Sequence, residues 1–211
     1  MGFDVYGVNP KIEQEYPPRY EEILKEYGND GWLDYSKEIP QDVKDEYYNI
    51  KSEYEENNVG YYFRNNVWWW RPLWSFVCAS CDDFLTDKDM DGGSYNDGRK
   101  IAKTKAIKIG KKLCELLADG TVDRMEKDYA VTAAKASAHN KEVQAELDRI
   151  TKECKDEHGD DLVPRDYPEP YKTQWNEKYA TKSWDDSYPF NKDNVENFAK
   201  FCLSSGGFEI C

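Results

Sequence analysis

Four of the chain's seven tryptophans lie within one short segment, YFRNNVWWWRPLW at 62–74. The chain around them is acidic and polar, with a net charge of −13 and 34% charged residues. Buried aromatic side chains remove large areas from water, so this segment has to lie in or beside the core. Two interpretations stay open, and they are compatible. The tryptophans pack the core, or their faces line a site for a flat ligand.

The ligand-site interpretation predicts a defined set of binding residues. Arginine guanidinium groups stack on indole faces and hold carboxylates or phosphates in a bidentate manner. Tryptophan faces would stack the ligand, arginines would hold its anionic groups, and neighbouring amides and a tyrosine would fix its orientation. The predicted residues are Arg64, Asn65, Asn66, Trp68, Trp69, Trp70, Arg71, Trp74, Tyr95 and Asn96.

Hydrophobic periodicity predicts an α+β fold, mainly helical, with a small antiparallel sheet of two to three strands. The clearest helix is 99–118, where apolar residues repeat at spacings of three and four. Pro72 is expected to open a helix at its first position, and TDKDMDGGSYNDG is expected to be a loop. The predicted strands are 2–8, 60–65 and 207–211, and the predicted helices are 18–27, 40–56, 72–85, 99–118, 122–157 and 194–203.

The charges suggest how the chain is organised. We expect a single domain over residues 1–211 with an acidic accessory insertion at 11–58. Residues 1–60 carry 15 acidic and 6 basic side chains, whereas 99–118 carry 7 basic and 1 acidic. The field of the whole protein repels nucleic acids and acidic membranes, so direct nucleic-acid binding and membrane binding are not expected. A basic protein partner would suit it. The sequence leaves the oligomeric state open.

The segment DKDMDGG resembles the start of a calcium-binding loop. Asp87, Asp89, Asp91 and Gly92 match positions 1, 3, 5 and 6 of an EF-hand loop. Position 12 requires a bidentate glutamate and is Gly98. The alternatives are an irregular calcium loop and an Asp-rich turn with local hydrogen bonds. No other cofactor is predicted.

Motifs of classical catalysis are missing from the sequence. It has no G-x-S-x-G, P-loop, G-x-G-x-x-G or H-E-x-x-H segment. The six cysteines have no framework spacing, and the single C-x-x-C pair, Cys78 and Cys81, lacks a second pair to complete a zinc site. We therefore nominate no catalytic residue and expect no enzyme activity, although two of the 42 acidic residues could still converge.

The compartment is inferred from what the sequence lacks. No run of 18 apolar residues is present, and the start MGFDVYGVNP has no basic or apolar leader region. We expect a cytoplasmic protein without a transmembrane segment.

The strings GYYFRNNVWWWRPLWSFVC, YNDGRKIAKTKAIKIGKKLCELLADGTV and FAKFCLSSGGFEIC together resemble a family of phage and bacterial proteins that has no established activity. The resemblance covers residues 1–10 and about 59–125, with a weaker similarity at 194–211. Members often join the first strand almost directly to the YFRNN segment. The resemblance therefore implies that 11–58 is an added element, and it carries over no catalytic residue. A phage origin would imply a counter-defence role in the host cytoplasm.

Three hypotheses of function follow. The first is a non-enzymatic phage-type protein that holds a small, flat, nucleotide-like anion in the Trp/Arg pocket. The second is an acidic inhibitor of a host defence protein that acts through 11–58. Deletion of 11–58 should spare the first function and destroy the second. The third is a nucleotide-processing enzyme, which requires a carboxylate pair beside the tryptophans.

Overall fold

The computed structural model describes residues 2–211, which divide into two compact units. The first unit contains the chain up to Gly120 together with Lys192–Cys211, and the second contains Thr121–Asn191. The single domain over residues 1–211 stays a prediction. In chain order the elements are β1 (Gly2–Gly7), α1 (Pro18–Tyr27), β2 (Gly28–Asn29), β3 (Trp32–Leu33), α2 (Gln41–Asn57), β4 (Tyr62–Asn66), α3 (Val67–Ser80), α4 (Asp87–Gly92), β5 (Arg99–Ala102), α5 (Lys103–Ala118), α6 (Thr121–His158), a 3₁₀ helix (Pro164–Asp166), α7 (Tyr171–Tyr179), α8 (Lys192–Ser204) and β6 (Gly207–Ile210). The mainly helical α+β prediction is confirmed.

The first unit is built on a four-stranded antiparallel sheet with the order β4-β1-β6-β5. Side chains alternate between its two faces, as the pleat requires. Phe3, Val5 and Phe208 are buried on one face, where α3, α5 and α8 contact the strands. The Phe198 ring of α8 lies 5.7 Å from the Phe208 ring, in an edge-on arrangement. This face therefore carries the core of the unit.

The opposite face of the sheet carries polar and aromatic side chains. Tyr6 on β1 pairs with Tyr62 on β4 and with Glu209 on β6. Glu209 in turn pairs with Lys100 on β5. Tyr6 is 42% exposed, and the Arg64 side chain beside this row is 69% exposed. This open face is where the site described below is built.

Residues 11–58, called the accessory element from here on, have a small core of their own. The helices α1 and α2 and the hairpin of β2 and β3 enclose Ile23, Leu33, Ile39 and Tyr47. The helices agree with the predictions of 18–27 and 40–56, whereas the hairpin was not predicted. Asn58 closes the element, because its buried side chain accepts hydrogen bonds from the backbone of Glu13 and Gln14.

The prediction that Pro72 opens a helix was wrong. α3 begins at Val67, and Pro72 lies inside it. The side chain of Asn66 accepts hydrogen bonds from the backbone N–H groups of Trp68 and Trp69, at 3.0 and 3.1 Å. An asparagine cap satisfies the free donors of the first turn and so fixes an earlier start.

Two further predictions between residues 86 and 102 were wrong. The predicted loop contains α4, which starts in a capping box between Thr86 and Asp89. The first four residues of the predicted helix 99–118 form β5 instead, because they pair with β6. Sheet pairing here overrides the helical periodicity, and the sheet gains a fourth strand.

The second unit consists of the long helix α6, the 3₁₀ helix and α7. The buried stripe of α6 includes Val143, Leu147 and Ile150, and its bounds confirm the predicted helix 122–157. Tyr171 on α7 donates a hydrogen bond from its hydroxyl to Glu157, at 2.6 Å. Within residues 2–211, no helix combines the length and the apolar character needed to cross a membrane.

Candidate functional site

Trp70 belongs to the core of the first unit. Its side chain has no exposed area. Its ring stacks on Phe3 at 5.2 Å and on Trp74 at 5.5 Å between centroids. The indole N–H donates a hydrogen bond to the carbonyl oxygen of Gly93 at 2.8 Å. Both the faces and the polar edge of this indole are therefore occupied by protein.

Trp74 is held in a similar way. It is 2% exposed, and its indole N–H donates to the carbonyl oxygen of Met90 at 2.9 Å. Gly93 lies against the ring so closely that a Cβ atom there would be 2.0 Å from Cε2 of the indole. These contacts favour the packed-core interpretation for Trp70 and Trp74.

The other predicted residues point to different places. Asn66 caps α3, and Asn65 donates to the side chain of Asn194 at 2.9 Å. Asn96 donates to the carbonyl oxygen of Gly2 at 3.3 Å. Tyr95 is 64% exposed and Trp68 is 42% exposed, while Trp69 is partly buried and Arg71 is exposed. The structure does not gather these side chains around one cavity.

Arg64 alone of the predicted ligand residues lines a cavity of about 490 Å³ in the first unit. The floor of this cavity is the open face of the sheet, and its wall is the accessory element. We call it the sheet–accessory cavity. Its lining residues are Tyr6, Trp32, Tyr48, Lys51, Ser52, Glu55, Tyr61, Tyr62 and Arg64.

Aromatic rings dominate the surface of the sheet–accessory cavity. Tyr6 and Tyr62 lie side by side on neighbouring strands, with ring centroids 5.2 Å apart. On the wall, Trp32 is 57% exposed and Tyr48 is 50% exposed. These rings are not closed off by protein as Trp70 and Trp74 are. They supply open surface on which a flat molecule can stack.

Two cations line the same cavity. The Lys51 ammonium lies 4.2 Å from the centre of the Trp32 ring, in cation–π contact, and 3.8 Å from Oε1 of Glu55. Arg64 Nε lies 3.6 Å from Oδ1 of Asp4. The Tyr62 hydroxyl also donates a hydrogen bond to Asp4. The cavity therefore combines open rings with two cations that each have an acidic neighbour.

Burial shifts the titration of the cavity groups. Burial raises the pKa of the Glu55 carboxyl, and the nearby Lys51 lowers it by less. Burial, together with the hydrogen bond to Asp4, raises the pKa of Tyr62 above its ordinary value. Burial and the charge of Asp4 likewise raise the pKa of Tyr6. The tyrosines are therefore neutral near pH 7, and they can donate hydrogen bonds.

Comparison with protein-family models, with curated proteins and with solved structures finds no match to this chain.

Sequence reasoning missed most of the cavity residues because they are distant in the chain. Tyr6 lies on β1, Trp32 in the hairpin and Lys51 on α2. The available signal was the isolated Trp32 in the turn-rich segment GNDGWL, because an aromatic residue in a polar hairpin has no obvious core position. The structure also revises the deletion experiment. Since the accessory element forms the cavity wall, its removal would affect both leading hypotheses.

The aspartates of the proposed calcium loop have other roles in the structure. Asp89 is buried, caps α4 and forms ion pairs with Arg99 and Lys105. Asp87 and Asp91 are exposed. Across residues 2–211, no three side chains of His, Cys, Asp or Glu are grouped so that they could hold a metal ion. This geometry gives the calcium hypothesis no support.

Proposed function

We propose that the sheet–accessory cavity binds a small, flat, anionic molecule of nucleotide type and does no chemistry on it. The observation that carries the proposal is the composition of the lining. Five aromatic rings and two cations, Lys51 and Arg64, meet there in a chain whose net charge is −13. Stacking and charge recognition thus occur in the same place.

The size and surface of the cavity support this ligand class. Sites for small molecules have volumes of about 300–1,000 Å³, and this cavity has about 490 Å³. Stacking of a base on an aromatic side chain contributes roughly 1–3 kcal/mol. Tyr6, Tyr62 and Trp32 offer such surfaces. The hydroxyl of Ser52, also in the lining, can hydrogen-bond to the ligand.

Arg64 is well suited to hold the anionic group. Its present partner is Asp4, and the two side chains are 69% and 35% exposed. An exposed ion pair of this kind contributes about 0–1 kcal/mol. A phosphate can therefore take the guanidinium group away from Asp4 at little cost, and a bidentate contact to phosphate is stronger.

The phage origin expected from the sequence would give this binding a biological setting. A phage protein that holds a nucleotide in the host cytoplasm would remove it from a defence pathway. The proposed counter-defence role is sequestration, which requires binding alone. It needs no catalytic residue, in keeping with the lack of catalytic motifs in the sequence.

Calorimetric titration tests the proposal with three probes: AMP, adenosine and inorganic phosphate. AMP should bind more tightly than either, because it alone combines a ring with an anion. Arg64→Ala should weaken AMP binding by roughly tenfold or more, since a hydrogen bond to a charged group contributes about 1.5–3 kcal/mol. Arg165→Ala is the matched control, because Arg165 is exposed in the second unit. Equal affinity of both variants for AMP would refute the proposal.

A second candidate function is inhibition of a basic host protein through the accessory element. The observation in its favour is that Trp32 and Tyr35, 57% and 63% exposed, lie on this acidic element. Glu21→Lys combined with Glu38→Lys should abolish capture of such a partner and leave AMP binding intact. Arg64→Ala should do the reverse. Capture that withstands the charge reversal would eliminate this candidate.

A further inference from the structure

The charges of the sheet–accessory cavity are balanced before any ligand enters. Lys51 and Arg64 are positive, and each has a carboxylate beside it. Glu55 lies 3.8 Å from Lys51, and Asp4 lies 3.6 Å from Arg64. Two positive and two negative groups give a formal charge of zero. The cavity therefore offers a large stacking surface but little net positive charge.

Across the open face of the sheet, the first charged group next to the cavity is a carboxylate. Tyr6 is followed across the open face by Glu209 on β6. The next residue in the row, Lys100, already lies 3.3 Å from Glu209 Oε2. A chain of phosphates that left the cavity along this row would meet a carboxylate first.

We infer that the natural ligand of this cavity carries a single negative charge, as a nucleotide with a diester phosphate does. This inference rests on the proposed function and narrows its ligand class. One phosphodiester can replace Asp4 as the partner of Arg64. Each further phosphate brings a negative charge close to the carboxylates of Asp4 and Glu55, which repel it.

Calorimetric titration of the full chain with 3′,5′-cyclic AMP, AMP and magnesium-free ATP tests the inference. These probes share base and ribose and differ in the charge of the phosphate group. Cyclic AMP should bind at least as tightly as AMP, and ATP should bind at least about tenfold more weakly than cyclic AMP. The salt concentration should be about 0.1 M, where the screening length is about 10 Å.

The outcomes separate the inference from the proposed function. If ATP binds as tightly as cyclic AMP, or more tightly, the single-charge inference is wrong and nucleotide binding stands. If none of the three probes binds, both fail. If cyclic AMP binds and ATP is at least tenfold weaker, both are supported.

A pair of double variants shows whether the cavity itself excludes the multiply charged ligand. Asp4→Asn with Glu55→Gln removes both carboxylates. We expect this variant to shrink the difference in affinity between cyclic AMP and ATP at least about threefold. Asp156→Asn with Glu142→Gln changes the net charge equally on exposed positions of α6. The control should leave the difference unchanged. If it shrinks the difference equally, the overall charge and not the cavity sets the preference, and the inference is overturned.

Discussion

The tryptophan run and the sheet–accessory cavity are both rich in aromatic rings, but their surroundings are opposite. In the run, Trp70 and Trp74 stack on each other, and their indole N–H groups bond to backbone carbonyls of 90–93. In the cavity, Trp32 and Tyr6 are 57% and 42% exposed and have cations beside them. The first arrangement serves folding, and the second leaves surface for a ligand.

The comparison shows that aromatic density in the sequence does not identify a binding site. Trp70 and Trp74 lie four residues apart on one helix and so share its buried face, where Trp70 stacks on Phe3 of β1. An open site needs rings on separate elements with space between them. Tyr6 on β1 and Trp32 on β3 meet this condition, although they are far apart in the sequence.

The largest expected effect separates the two regions by stability. Trp70→Ala should lower the free energy of unfolding by about 3–5 kcal/mol, because it leaves a cavity in the core. Trp32→Ala should change it by only about 0.5 kcal/mol, since the side chain is largely exposed. Urea denaturation followed by circular dichroism measures both. A larger loss for Trp32→Ala would contradict the assignment of the two regions.

The second-largest expected effect concerns the ion pairs that Asp89 forms with Arg99 and Lys105. Asp89→Asn should destabilise the fold by about 3–5 kcal/mol, because Arg99 and Lys105 lose the buried charge that they share. Urea denaturation at pH 7 measures the loss. An Asp87→Asn variant, at an exposed position of the same helix, should stay close to the wild type.

Acid should weaken the same ion pairs in the wild-type protein. Burial raises the pKa of Asp89, but hydrogen bonds from Lys105, Thr86 and Arg99 outweigh burial and hold that pKa below its ordinary value. A lowered pKa stabilises the fold above the unfolded value of about 3.9 and loses this contribution as the pH falls further. Below about pH 4, the melting temperature of Asp89→Asn should fall less steeply with decreasing pH than that of the wild type. If the melting temperatures of the two proteins fell equally with decreasing pH, this prediction would be refuted.

Removal of the accessory element should destroy the cavity and leave the rest of the fold intact. Joining Pro10 to Val59 deletes the cavity wall but leaves β1 and β4 adjacent, because Gly7 already bonds to the backbone of Tyr61. The shortened chain should keep a cooperative thermal transition and lose AMP binding. AMP binding at wild-type affinity after the deletion would show that the site lies elsewhere.

The smallest expected effect is a pH dependence of ligand affinity. Burial raises the pKa of Glu55, so this carboxyl takes up a proton at a higher pH than an exposed glutamate. The affinity for cyclic AMP, whose charge is constant in this range, should rise about threefold as the pH falls through that pKa. Glu55→Gln should bind more tightly at pH 7 and lose the dependence. An affinity that is flat with pH in the wild type would contradict the position of Glu55 beside the ligand.

Much of the fold could be predicted from the sequence. The helices α1, α2, α6 and α8 follow from local periodicity and breakers, and each lies within a few residues of its predicted bounds. β5 could not be found in this way, because its four residues continue the periodicity of α5 and become a strand only by pairing with β6. The start of α3 required the cap by Asn66 to be weighed against Pro72.

Of the candidate site, only Arg64 could be predicted from the sequence. Its role was inferred from neighbouring tryptophans, of which Trp70 and Trp74 are buried in the core. The actual neighbours of Arg64 in the cavity come from the accessory element, and no local pattern links position 64 to Trp32 or Lys51. The contact depends on how the element folds back over the sheet.

A fluorine NMR titration of the protein labelled with 5-fluorotryptophan tests directly whether the ligand binds in the sheet–accessory cavity. Single Trp→Phe variants assign the seven resonances. We predict that AMP shifts the signal of Trp32, leaves those of Trp70 and Trp74 unchanged, and has no effect in Arg64→Ala. A shift confined to Trp68, Trp69 or Trp70 with Trp32 unmoved, or no shift at any tryptophan, would contradict it.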